Sequence, residues 1–144
     1  MSRVTGGSIG PPERRVVLAD TSIWVDFLRR GGAGSDRLGK LLSNGEIVMC
    51  GPVAAELLAG IGERDEKNLW ASLTALPWQG LDRDGWRAVG ATAAALRRLG
   101  QRVPLIDVEI AVAAARGGAE LWTGDAHFDR MVGVVPGLRL TPVR

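Results

Sequence analysis

The sequence predicts an α/β fold, an α/β/α sandwich in which helices flank a mostly parallel central sheet. Short apolar runs typical of buried strands alternate with longer stretches in which apolar residues recur at helical spacing. No segment repeats, and no linker-like stretch divides residues 16–144. A chain of 144 residues is also long enough to bury the core of one domain.

The predicted elements follow one another with glycine, proline or asparagine at many of the turns between them. Strands are expected in the short apolar runs, at 16–19, 46–50, 76–81, 120–123 and 138–141. Helices are expected from the helical spacing, at 23–30, 35–42, 65–75, 84–99, 106–115 and 126–131, and from Pro52 through Glu56. Strands separated by helices predict a ligand site at the carboxyl ends of the strands.

The first fifteen residues are rich in glycine, proline and serine. We interpret residues 1–15 as a disordered leader or a mis-assigned start, which leaves 16–144 as a single domain. The leader carries the whole formal net charge of +2, so the charge of the domain is no evidence for nucleic-acid binding. The single cysteine, Cys50, excludes an internal disulfide framework, and no apolar run approaches the roughly 20 residues that span a bilayer. We therefore expect a cytoplasmic protein that does not bind a membrane.

Four acidic residues follow or interrupt apolar runs, where an unpaired carboxylate is unfavourable. Asp20 and Asp125 come just after predicted strands, Glu56 lies one turn into a helix, and Asp107 opens another. Helix capping or pairing with an arginine would explain Asp107 or Asp125 alone, but capping does not explain Asp20 and Glu56. Carboxylates gathered at one sheet edge are typical ligands of Mg²⁺, for which Mn²⁺ can substitute.

Neighbouring polar residues fit more than one role. The hydroxyl groups of Thr21, Ser22 and Thr123 can hold the carboxylates in place. Capping explains Thr21 and Ser22 equally well, whereas we favour carboxylate orientation for Thr123. For His127, the only histidine and a neighbour of Phe128, a surface or half-buried packing role is favoured over a role as general base.

Two further residue sets stand out. Arg97, Arg98 and Arg102 form the densest basic cluster, for which a solvated helix face and contact with an RNA backbone are both open. Large aromatic side chains in apolar patterns are expected to fill the core, namely Trp24, Trp78, Trp86 and Trp122.

Four motifs in this order resemble the PIN-domain family, and specifically the VapC-type toxins of bacterial toxin–antitoxin systems. They are DTSIW at 20–24, PVAAEL at 52–57, VPLIDVEIA at 103–111 and TGDAHF at 123–128. The resemblance implies a PIN-like fold and a metal-dependent endoribonuclease that cleaves transfer, ribosomal or messenger RNA and so inhibits translation and growth. It also implies neutralisation by a cognate VapB-like antitoxin, and a homodimer.

In such a ribonuclease the metal ligands would be Asp20, Asp107 and Asp125, with Glu56 binding directly or through water. Mg²⁺ or Mn²⁺ there would activate a water for in-line attack on a phosphodiester. The number of metal ions stays open.

Three alternatives remain: a PIN nuclease of RNA processing, a signalling module of receiver type, and a catalytically inactive binding module. A receiver domain needs an acid pair after its first strand, but Ala19 precedes Asp20. It also needs a late lysine, whereas the only lysines are Lys40 and Lys67. Four intact acids argue against an inactive module.

Overall fold

A parallel sheet of short strands lies at the centre of the computed structural model, which describes residues 15–30 and 36–141. The strands are β1 (Val17–Ala19), β2 (Ile47–Val48) and β3 (Glu120–Trp122), in the order β2-β1-β3. Leu18 of the central strand pairs with Val48 on one side and with Leu121 on the other. The mostly parallel sheet predicted from the sequence is therefore confirmed.

Helices connect and cover these strands, as predicted. They are α1 (Thr21–Arg29), α2 (Arg37–Ser43), α3 (Gly51–Gly60), α4 (Glu66–Thr74), α5 (Arg83–Arg98) and α6 (Leu105–Arg116). A 3-10 turn over Glu63–Asp65 precedes α4, and the helix predicted at 126–131 is a 3-10 helix over Ala126–Met131. Pro52 lies in the first turn of α3, where its missing N–H leaves no hydrogen bond unmade.

The outer strands predicted at 76–81 and 138–141 are each reduced to a single parallel bridge. Met49 bridges to Trp78, and Leu121 bridges to Leu140. Pro77 has no N–H to donate, which helps to explain why the first of these pairings stays short. The sheet thus has short pairings on both sides of its three strands.

The core lies around β1, which is buried along its whole length, and the middle of α6. Val17 and Leu18 have no exposed surface, and neither do Val108, Ala111 and Ala114 of α6. The buried run of α6 at 110–114 consists of apolar and small residues, as packing against other elements requires. Helix α6 packs against β3, the neighbour of β1, and its first turn carries Asp107.

The prediction that four tryptophans fill the core is wrong for two of them. Trp24 is buried, but Trp78 and Trp86 are 41% and 51% exposed. On α5 the buried positions include Gly85, Val89 and Leu96, so Gly85 takes the core-facing place in the first turn. A Cβ atom added at Gly85 would lie about 3.0 Å from the Leu81 side chain, so this position has no room for a large ring. Trp86 occupies the next, exposed position. Trp122 is half-buried beneath the Arg37 guanidinium.

The predicted leader falls on residues that lie outside the described ranges, apart from Arg15. The guanidinium of Arg15 forms an ion pair with Glu120 of β3 at 3.0 Å. Hydrogen bonding and charge attraction from Arg15 lower the pKa of Glu120. Within the described ranges no helix is both long and apolar enough to cross a bilayer.

Candidate metal centre

The candidate centre begins where the adjacent strands β1 and β3 end. Asp20 directly follows Ala19, and its backbone N–H donates to the carbonyl of Trp122 at 2.9 Å. This pairing sets Asp20 beside Thr123, the next residue of the neighbouring chain segment. The residue Asp20 is only 4% exposed, so its carboxylate depends on protein groups for hydrogen bonds.

Three donors satisfy the Asp20 carboxylate. Oδ1 accepts from the hydroxyl of Ser22 at 2.6 Å and from the backbone N–H of Ile23 at 3.3 Å. Oδ2 accepts from the hydroxyl of Thr123 at 2.5 Å. The contact with Ile23 also makes Asp20 the N-cap of α1, so the prediction that capping does not explain Asp20 is wrong. The helix begins at Thr21, two residues earlier than predicted, which puts Asp20 in the capping position.

Thr123 links Asp20 to the next acid. Its hydroxyl oxygen accepts from the backbone N–H of Asp125 at 2.9 Å while its proton is donated to Asp20. Asp125 in turn accepts from the backbone N–H of His127 at 2.9 Å and begins the following 3-10 helix. These hydrogen bonds therefore fix the position of residues 123–127 relative to Asp20.

Asp107 lies in the first turn of α6 and faces the same group from the other side. Its Oδ2 lies 3.3 Å from Nδ1 of His127, which is also 3.5 Å from Oδ2 of Asp125. Burial raises the pKa of Asp107; contact with His127 lowers it, and the charges of Asp125 and Glu56 raise it further. Asp107 is thus half-buried and close to other acids.

Glu56 joins the group through α1. It accepts a hydrogen bond from the hydroxyl of Thr21, so this hydroxyl contacts Glu56, whereas those of Ser22 and Thr123 contact Asp20. Burial is the main cause of the raised pKa of Asp107, and the charge of Glu56 makes the smallest contribution to it. The structure therefore links Asp20 to Asp125 through Thr123, sets Asp107 and Asp125 beside His127, and ties Glu56 to the start of α1 through Thr21.

The donor groups fit a divalent cation. One ligand atom from each of Asp107, Asp125 and His127 lies within 4.8 Å of the others, and these atoms are carboxylate oxygens and an imidazole nitrogen. Divalent cations with bonds of about 2.0–2.2 Å hold neighbouring ligand atoms about 3 Å apart. The contacts of His127, at 3.3 and 3.5 Å, are close to that separation.

His127 is half-buried, as the sequence predicted, but its acidic neighbours were not predicted. Phe128 is buried, whereas the His127 ring lies between Asp107 and Asp125. The available signal was its position two residues after Asp125, within the same tight turn. The Arg97 and Arg98 side chains are exposed in the last turn of α5, and Arg102 is exposed in the connection to α6.

The family to which this chain belongs is shown by a match along most of its length. The family model for the PIN domain matches residues 17–134, a range that includes all four acids. This chain belongs to the PIN-domain family. Ribonuclease VapC11 of Mycobacterium tuberculosis is 35% identical over 120 residues, covering 79% of this chain and 90% of that protein. Ribonuclease VapC19 of the same species is 34% identical over 113 residues, covering 77% and 90%.

Solved structures of low sequence identity share the PIN fold. VapBC2 from Rickettsia felis, bound to a DNA fragment from its promoter, superposes with a TM-score of 0.71 at 24% identity, covering 90% of this chain and 99% of that one. DNA-bound VapBC from Salmonella typhimurium gives a TM-score of 0.70 at 21% identity, covering 88% and 97%. These superpositions show that this PIN domain has the same fold as the matched chains.

Proposed function

We propose that this PIN domain is a metal-dependent endoribonuclease toxin of the VapC type, which cleaves cellular RNA and thereby inhibits translation and growth. The observation that carries the proposal is the group of acids in which Thr123 links Asp20 to Asp125, while Asp107 and Asp125 lie beside the same histidine. The 35% identity to proteins named VapC ribonucleases supports the same chemistry.

Some residues of the centre orient the acids, and the acids are the proposed metal ligands. Ser22 and Thr123 orient Asp20, Thr21 orients Glu56, and the turn after Thr123 presents Asp125. Asp20, Asp107 and Asp125 are the proposed ligands of Mg²⁺ or Mn²⁺, with Glu56 binding directly or through water. A bound divalent cation supplies Lewis acidity toward a phosphodiester oxygen and makes water a stronger nucleophile at neutral pH.

The proposed partners are RNA, a VapB-like antitoxin and a second copy of the chain. The solved structures with the same fold include VapBC complexes, which supports an antitoxin as partner of this chain. Arg97, Arg98 and Arg102 are the proposed contacts to the RNA backbone, since all three are exposed and cationic.

The test is cation-dependent cleavage by purified protein freed of antitoxin. End-labelled structured RNA should be cut at internal positions with Mg²⁺ or Mn²⁺ and left intact with chelator. Asp125→Asn should remove cleavage, whereas the matched variant Asp129→Asn, an exposed acid in the same 3-10 helix, should keep it. Cleavage in chelator would refute the metal mechanism. Cleavage without growth arrest on expression would instead favour a PIN nuclease of RNA processing.

A further inference from the structure

His127 is held between two of the acids of the centre. Its backbone N–H is bonded to Asp125, which brings the ring back over the start of α6. Nδ1 then faces Oδ2 of Asp107 and Oδ2 of Asp125 together. The ring is the only nitrogen side chain among the described groups whose donor atoms are spaced for a metal ion.

Nδ1 of His127 makes a long hydrogen-bond contact with one of the two carboxylates. It lies 3.3 Å from Oδ2 of Asp107 and 3.5 Å from Oδ2 of Asp125. One ring N–H cannot point at both carboxylates with good geometry. The three ligand atoms, all within 4.8 Å of one another, are spaced closely enough to be neighbouring ligands of a single cation.

We propose that Nδ1 of His127 is a direct ligand of the catalytic cation, together with one oxygen each from Asp107 and Asp125. This inference rests on the proposed function, because it assigns a nitrogen ligand to the same centre. Carboxylates accept Mg²⁺ and Mn²⁺ alike, whereas imidazole favours transition-metal ions. The mixed set therefore selects Mn²⁺ over Mg²⁺.

The composition of the chain makes a decisive spectroscopic test possible. His127 is the only histidine, so an imidazole coupled to a bound ion can come from no other residue of a tag-free protein. Pulsed electron paramagnetic resonance of the Mn²⁺-loaded protein should show coupling to ¹⁴N. Protein labelled with ¹⁵N at histidine alone should replace this pattern by the ¹⁵N pattern.

Titration calorimetry measures the expected selectivity. His127→Gln should weaken Mn²⁺ binding by about 10-fold or more and should change Mg²⁺ binding much less. Asp129→Asn, two residues further along and exposed, is the matched control and should bind both ions as the wild type does. If His127→Gln does not fold, the isotope experiment on the wild type decides alone.

The outcomes separate this inference from the proposed function. Mn²⁺ binding without coupling to the histidine nitrogen would overturn the role of His127 and leave the metal centre standing. Absence of any Mn²⁺ or Mg²⁺ binding by the wild type would overturn the proposed function itself. Equal losses of Mn²⁺ and Mg²⁺ affinity in His127→Gln would refute the selectivity.

Discussion

Asp20 and Asp107 belong to one centre but are held in opposite ways. Asp20 is buried at the end of β1 with three protein donors on its two oxygens. Asp107, at the start of α6, has a long contact to His127 and acidic neighbours, and its pKa is raised. The contrast indicates that Asp20 is stabilised by the folded protein, whereas in the proposed metal centre the charge of Asp107 would be stabilised chiefly by the cation.

The largest expected effect is the loss of catalysis, which should be similar for substitutions of Asp20 and Asp107. Asp20→Asn and Asp107→Asn should each reduce RNA cleavage by orders of magnitude, because each removes a ligand charge from one centre. The double variant should lose little more than either single variant, since the acids act as a unit. Single-turnover cleavage rates with saturating Mn²⁺ measure this. If the fold-loss in the double variant equalled the product of the two single fold-losses, the two acids would act independently.

The second expected effect is stabilisation by the cation. A ligand that binds only the native state adds about 2.7 kcal/mol at 100 times its Kd. Mn²⁺ should therefore raise the melting temperature of the wild type, and the shift should shrink in Asp107→Asn. The exposed-acid variant Asp129→Asn is the control and should keep the full shift. An unchanged shift in Asp107→Asn would remove this residue from the ligand set.

Without a cation, the two substitutions should change stability in opposite directions. Asp20→Asn places an amide among three donors and should lower the free energy of unfolding by about 1–3 kcal/mol. Asp107→Asn removes a charge that burial and nearby acids oppose, so it should raise that free energy. Urea denaturation with chelator present measures both. A loss of stability in Asp107→Asn would contradict the distinction drawn between the two acids.

The free energies measured by urea denaturation with chelator should also depend on pH. Since the pKa of Asp107 is raised on folding, the native state binds its proton more tightly than the unfolded state. This contribution to stability is complete below the unfolded pKa and is lost as the pH rises through the folded pKa. Without a cation, the free energy of unfolding of Asp107→Asn should therefore fall less than that of the wild type as the pH rises through this acidic range.

The smallest expected effect concerns the basic cluster. Replacing Arg97, Arg98 and Arg102 with Gln should weaken RNA binding and reduce the slope of log affinity against log salt, by about 0.7 for each phosphate that the variant no longer neutralises. Mn²⁺ affinity should stay unchanged, because these residues lie outside the group of acids. An unaltered slope would identify the cluster as a solvated helix face.

The sequence predicted where the four acids lie in the fold, because Asp20 and Asp125 follow strands while Glu56 and Asp107 lie near the starts of helices. Their binding of a metal stays a prediction. Asp20 and Thr123 meet because β1 and β3 are neighbours in a parallel sheet. Short-range geometry was less predictable. His127 faces Asp107 through the path of a 3-10 turn, and Gly85 instead of Trp86 faces the core because of a one-residue difference in helical phase.

The hydrogen bond between Thr123 and Asp20 joins residues 103 positions apart in the chain. During synthesis on the ribosome, Asp20 emerges long before the segment that orients it and before the ligand Asp125. A nascent chain therefore contains the first acid before the rest of the proposed centre exists, and we expect it to be inactive until then. Cleavage would begin only with a nearly finished and folded polypeptide, so a cell that already contains an antitoxin has the whole period of translation in which to be ready.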